Sequence, residues 1–292
     1  MDVLTHRRLC QRAWPLAALA LAWLTGCVAL SPDERSASLQ AWAITQGWQP
    51  RLLPGPAFDL LAFVPARTIR SHRLTVYIEG DGLAWLDRHT PSFAPTPVDP
   101  VALRMAMADE GGAAVYLARP CQYVQGPAFK GCHQRYWGSH RMALEVVAAM
   151  DRAVGLLAAD AGASELVLVG YSGGAGIAAL LAARRNDVVA LVTVAGVLDI
   201  ETWAQQLRVS PLEGSLNPRD VSVRLAYLRQ WHFIGLEDRV VPPAVLQRFV
   251  GAGAPFAHPP VVQRVPAFDH QCCWAKAWPV LSRRFAAPSG PD

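Results

Sequence analysis

The residues best placed to carry chemistry are Gly170-Tyr171-Ser172-Gly173-Gly174, a serine among glycines. They follow an apolar, β-type run at 165–169 directly and precede a helix-like stretch at 175–184. On a tight strand-to-helix turn the neighbours of a serine must lack bulk, and the helix start behind it offers free N–H groups and positive dipole to a reacting oxygen. That is the setting of a nucleophile. A nucleophilic serine needs a base, and the base needs an orienting carboxylate. Asp238, within Gly235-Leu236-Glu237-Asp238, and His270, within Phe268-Asp269-His270, supply these types in the order Ser, Asp, His.

The elements that must position these groups alternate. Strand-like runs fall at 58–64, 73–79, 113–117, 165–170, 188–194, 230–234 and 261–265, several of them continuously apolar, as in strands covered on both faces. Helical periodicity separates them at 100–108, 141–159, 175–184, 243–250 and 274–285. The alternation predicts a single α/β domain around a doubly wound, mostly parallel sheet. A polar, proline-containing stretch at about 198–228 breaks the pattern and reads as a short insertion after the strand-like run at 188–194, over the sheet's edge. Ser172, Asp238 and His270 each fall just past a strand's carboxyl end, the edge where ligands and catalysis concentrate in open α/β sheets.

On these motifs the chain resembles an α/β-hydrolase over most of its length, roughly 51–285. The resemblance implies Ser172 as nucleophile, His270 as general base and acid, and Asp238 as the group that orients the imidazole. It also implies an oxyanion hole made by the N–H of Gly173 and a second N–H from the loop Glu79-Gly80-Asp81-Gly82, at Asp81 or alternatively Gly82. Glu79 stands where the family commonly carries histidine. Rivals for the acid are Glu237 and Asp199; rivals for the base are His258 and His232, the latter inside a strand-like run. The expected activity is acyl hydrolysis, carboxylic esters first, with thioesters and peptides open to the same machinery. No metal or organic cofactor is implied. The competing class is a binding protein that keeps this fold without catalysis.

Two other patterns compete for residues. Gly174-Ala175-Gly176-Ile177-Ala178-Ala179 matches the GxGxxA form of a dinucleotide fingerprint, but that pattern should open at the strand's end, and Tyr171-Ser172-Gly173 intervene. Cys121, Cys132, His133 and His140 contain zinc-ligand types without the short recurrent spacings that zinc sites use. The same cysteines bracket a glycine- and proline-containing loop, which suggests a Cys121–Cys132 disulfide; adjacent Cys272 and Cys273 either form a vicinal bridge or stay reduced.

The N-terminus reads as an export signal. His6, Arg7, Arg8 and Arg12 precede an apolar run from Ala13 to Leu24, which ends in Leu24-Thr25-Gly26-Cys27. The tetrapeptide resembles a bacterial lipobox, implying cleavage of 1–26 and lipid on Cys27. Residues 27–45 then serve as tether and lead-in, 46–286 as the domain and 287–292 as a tail, with the protein held at the membrane on the periplasmic side of a bacterial envelope. The chain is 52% hydrophobic with a mean hydropathy of +0.19, which excludes a disordered chain. Its longest apolar run falls short of the roughly 20 residues a spanning helix needs. Removing the leader takes away Asp2 and three arginines and halves the formal charge of +4, so charge predicts no nucleic-acid partner. The expected partners are an ester substrate, small or lipidic, and the membrane.

Overall fold

A computed structural model describes residues 31–286; the leader, Cys27 and the tail 287–292 lie outside them. Eight strands form one sheet: β1 (Trp48–Leu53), β2 (Leu60–Pro65), β3 (Arg73–Ile78), β4 (Ala114–Leu117), β5 (Glu165–Tyr171), β6 (Val188–Val194), β7 (Arg229–Gly235) and β8 (Val261–Val265). Their spatial order is β1-β2-β4-β3-β5-β6-β7-β8. β2 pairs antiparallel with both β1 and β4, and every other pairing is parallel. The mostly parallel sheet expected from the sequence is present.

Successive side chains of a strand point to opposite faces, and β5 feeds two cores accordingly. Leu166 and Leu168 enter one cluster together with α3 (Leu144–Ala161), α4 (Gly173–Ala182), α5 (Ile200–Leu207) and α6 (Pro243–Gly253). Val167, Val169 and Tyr171 enter the other with α1 (Pro32–Thr45), α2 (Val101–Met107) and α7 (Trp274–Ala286). All ten residues of α4 are buried, as expected of a helix that is apolar all round. Its small residues let it approach the sheet closely. A Cβ on Gly174 would overlap the carbonyl oxygens of Ile78 and Glu79, and one on Gly176 would meet Met142. The GxGxxA pattern is therefore helix-on-sheet packing.

Three stretches differ from the sequence reading. Residues 31–38, expected as a tether, run into α1, which opens on a proline with Asp33 and Glu34 in its first turn, the charge a helix start favours. Buried contacts dock it: Arg35 donates to the Ala94 carbonyl (3.2 Å) and Ser36 to that of Tyr123 (2.8 Å). β1 has no strand-like run in the sequence because Pro50 interrupts it, which only an edge strand tolerates. The insertion is partly regular, with α5 and a 3-10 segment at Pro218–Leu225.

Candidate active site

The serine turn is built by close approach. A Cβ on Gly170 would lie 2.6 Å from the Ala175 nitrogen, so only glycine lets the strand end so near the helix that follows. Ser172 adopts φ 52°, ψ −122°, a positive-φ backbone that residues with a side chain disfavour. Backbone bonds hold it there: its N–H donates to Val194 (2.9 Å), and its carbonyl accepts from Ala175 (3.1 Å) and Val197 (3.0 Å). The hydroxyl thus stands at the start of α4, with the Gly173 amide beside it.

Two loops bring partners to it. His270, beyond β8, places Nε2 3.0 Å from Ser172 Oγ and Nδ1 2.9 Å from Asp238 Oδ2. Asp238, beyond β7, accepts the N–H groups of Val240 and Val241 at Oδ1, both at 2.8 Å, and its side chain is only 2% exposed. These two bonds fix the orientation of the carboxylate toward His270. The carboxylate in turn selects the tautomer with the proton on Nδ1, leaving Nε2 to accept from the serine hydroxyl. The His270 carbonyl accepts from Tyr171 Oη (3.0 Å) and Trp274 Nε1 (3.1 Å), which locks the loop. A cleft of about 770 Å³ lies against this group, lined by Leu236–Val240 and Asp269–Gln271.

The rival residues fall elsewhere. Asp199 is fully buried and caps α5, bonded to Thr202, Asn217 and Arg219. Glu237 and His258 are exposed. His232 lies inside β7 with Nδ1 on Thr193 (2.7 Å), and burial pushes its pKa down to about 3, so it is neutral at physiological pH. Cys121 and Cys132 form a disulfide with a Cα–Cα distance of 5.6 Å, and Cys272 and Cys273 are joined to each other. His133 instead caps a 3-10 turn and His140 bonds Ser139, so the four zinc-type residues share no site. Among the described residues, no group of three or more His, Cys, Asp or Glu side chains is gathered as a metal would require.

The loop after β3 reaches the serine from the other side. A Cβ on Gly80 would sit 3.1 Å from Ser172 Cβ. Gly82 has φ +65°, and a Cβ there would overlap the Pro95 carbonyl. The Gly80 amide donates to Glu79 Oε1 (2.8 Å), so this N–H is engaged within the loop. Burial pushes the Glu79 pKa up to about 7 despite that bond. Burial alone would also raise Asp81, but Arg141 and Arg119 pull it below the usual carboxylate range. Trp274, Arg119, Gln122 and Arg141 are supporting residues that no motif marked, and Tyr171, inside the serine motif, carried no sign of its bond to the His270 carbonyl. Only Arg119, just past β4 at the carboxyl edge, had a position that hinted at its place.

Strand order, serine turn and loop placement together define an α/β-hydrolase fold. Solved structures share it. A puromycin-hydrolysing peptidase from Mycobacterium tuberculosis superposes with a TM-score of 0.55 at 15% identity, over 83% of this chain and 39% of that one. An α/β serine hydrolase without lid from Xanthomonas campestris gives 0.51 at 16% identity, over 84% and 97% of the two chains. The esterase domain of a Rhodothermus marinus protein gives 0.54 at 15%, over 82% and 98%. The chain thus spans about two-fifths of the length of the puromycin-hydrolysing peptidase. No family model matches the sequence, and no curated protein is significantly similar to it.

Proposed function

We propose that the protein is a serine hydrolase that cleaves carboxylic esters, held at a bacterial cell-envelope membrane by lipid on Cys27. One observation carries the catalytic reading: the His270 imidazole spans Ser172 Oγ at 3.0 Å and Asp238 Oδ2 at 2.9 Å. Ser172 Oγ attacks the acyl carbon while its proton passes to His270 Nε2, and Asp238 stabilises the imidazolium. The N–H of Gly173, with that of Asp81 or Gly82, binds the oxyanion. His270 then protonates the departing alkoxide. Water, deprotonated by the same nitrogen, releases the acid from Ser172. No step calls for a metal or organic cofactor.

A second reading, amide hydrolysis by the same groups, draws support from the likeness to a puromycin-hydrolysing peptidase. A panel of p-nitrophenyl esters of graded chain length and aminoacyl p-nitroanilides, assayed on membrane and soluble fractions, separates these readings. The expected result is ester turnover at least 100-fold above anilide turnover, sedimenting with membranes and released to the soluble fraction by Cys27→Ala. Anilide turnover equal to ester turnover overturns the ester reading, and activity that stays with the membranes in Cys27→Ala overturns the anchor.

A further inference from the structure

A carboxylate stands where a hydrolase of this design has least use for one. The Asp81 side chain faces Gly173, close enough that a Cβ on Gly173 would overlap it. The negative charge therefore lies beside Gly173, the residue whose amide is proposed to receive the oxyanion, and like charges there would repel. Two nearly buried guanidinium groups close on it. Arg141 Nη1 lies 2.6 Å from Oδ2 and Arg119 Nη1 3.3 Å from Oδ1, with side chains 7% and 4% exposed. Arg119 Nη2 also donates to the Arg141 carbonyl, tying the two together.

The same group reaches the backbone of the loop. Gln122 accepts the Arg119 N–H at Oε1 (2.9 Å) and donates through Nε2 to the Gly80 carbonyl (2.9 Å). Arg141 Nε donates to Gly138 (2.8 Å), and its guanidinium lies over the Trp203 ring, 5.4 Å from the centroid. Trp203 Nε1 donates to the Val240 carbonyl (2.9 Å), and the Val240 N–H is held by Asp238. A continuous chain thus runs from the oxyanion loop to the loop of the triad acid.

We propose that Arg119 and Arg141 are positioning residues for the oxyanion. Gripping the Asp81 carboxylate, they fix the Glu79–Gly82 loop against Ser172 and cancel a charge that would oppose the transition state. Two guanidinium groups on one carboxylate leave a net positive charge beside the developing oxyanion. The inference rests on the ester-hydrolase reading, and the test separates the two.

With p-nitrophenyl butyrate as substrate, Arg141→Met is expected to lower kcat about 100-fold, the scale of a lost oxyanion donor, with KM within threefold of wild type. A trifluoromethyl ketone supplies a readout that general weakening of the fold would not move. Ser172 Oγ adds to its carbonyl carbon, the proton goes to His270 and the carbonyl electron pair becomes the oxyanion, so its inhibition constant should rise in step with the loss in kcat/KM. The double variant Asp81→Asn/Arg141→Met, in which the remaining Arg119 faces a neutral amide and the net positive charge returns, should recover at least tenfold over Arg141→Met. An unchanged kcat, or a loss that the double variant does not relieve, overturns the proposal. If Arg141→Met does not fold, Arg141→Lys carries the test: about a tenfold loss in kcat at unchanged KM supports it, and wild-type kcat overturns it. A wild-type protein without Ser172-dependent turnover overturns the hydrolase reading itself.

Discussion

Ser172 holds a backbone conformation that costs of the order of 1–3 kcal/mol, and the surrounding elements impose it through bonds to Val194, Ala175 and Val197. That the serine, Asp238 and His270 could be picked out beforehand reflects local signals: each lies in a short segment just past an apolar strand. Gln122 and Arg141 carried no such signal, and Arg119, though just past β4, gave no sign of its partner, because only the tertiary fold brings the three to the Glu79–Gly82 loop. Glu79 offers a test at this scale. Its folded pKa of about 7 lies above the ordinary 4.5 because burial favours the neutral acid, with Asp99 adding to the rise. The folded state therefore binds the extra proton between those values. The stability this contributes is complete below pH 4.5 and is lost as pH rises through 7. Denaturant titrations at pH 5 and pH 8 should show wild type losing about 2 to 3 kcal/mol more than Glu79→Gln over that range. Parallel profiles for the two proteins would mean that Glu79 is not titrating there.

Elements were legible where the hydrophobic period was strong and obscure where tertiary contacts supply the stability. The central parallel strands were readable because both faces are buried, whereas β1 contains a proline and α1 docks through polar Arg35 and Ser36 while leaving Ile44 exposed, so it shows no apolar stripe. α5, inside the insertion, is amphipathic but only eight residues long. The segment after β4 is short, irregular and stapled. The Cys121–Cys132 bridge, with a sequence separation of 11, closes it beside Arg119 and Gln122. Chain-entropy reasoning gives such a loop about 3 kcal/mol. Cys121→Ser/Cys132→Ser should lower the unfolding free energy by roughly that amount in denaturant, and an unchanged midpoint would show that the bridge does not stabilise the domain.

At the scale of the whole molecule, the mean hydropathy is positive at +0.19, yet the described residues contain no helix long and apolar enough to cross a membrane. The hydropathy is accounted for by strands and the helix α4 buried within the sheet layers, together with the apolar leader segment. The sheet brings its β5, β7 and β8 loops to one edge, and that convergence makes three separate sequence signals into one site. The central claim is that this site makes Ser172 a nucleophile. Incubation of the full chain with a fluorophosphonate probe measures it most directly. Wild type should be labelled covalently at Ser172, His270→Ala far more slowly, and Ser172→Ala not at all. Equal labelling of wild type and Ser172→Ala would contradict the account.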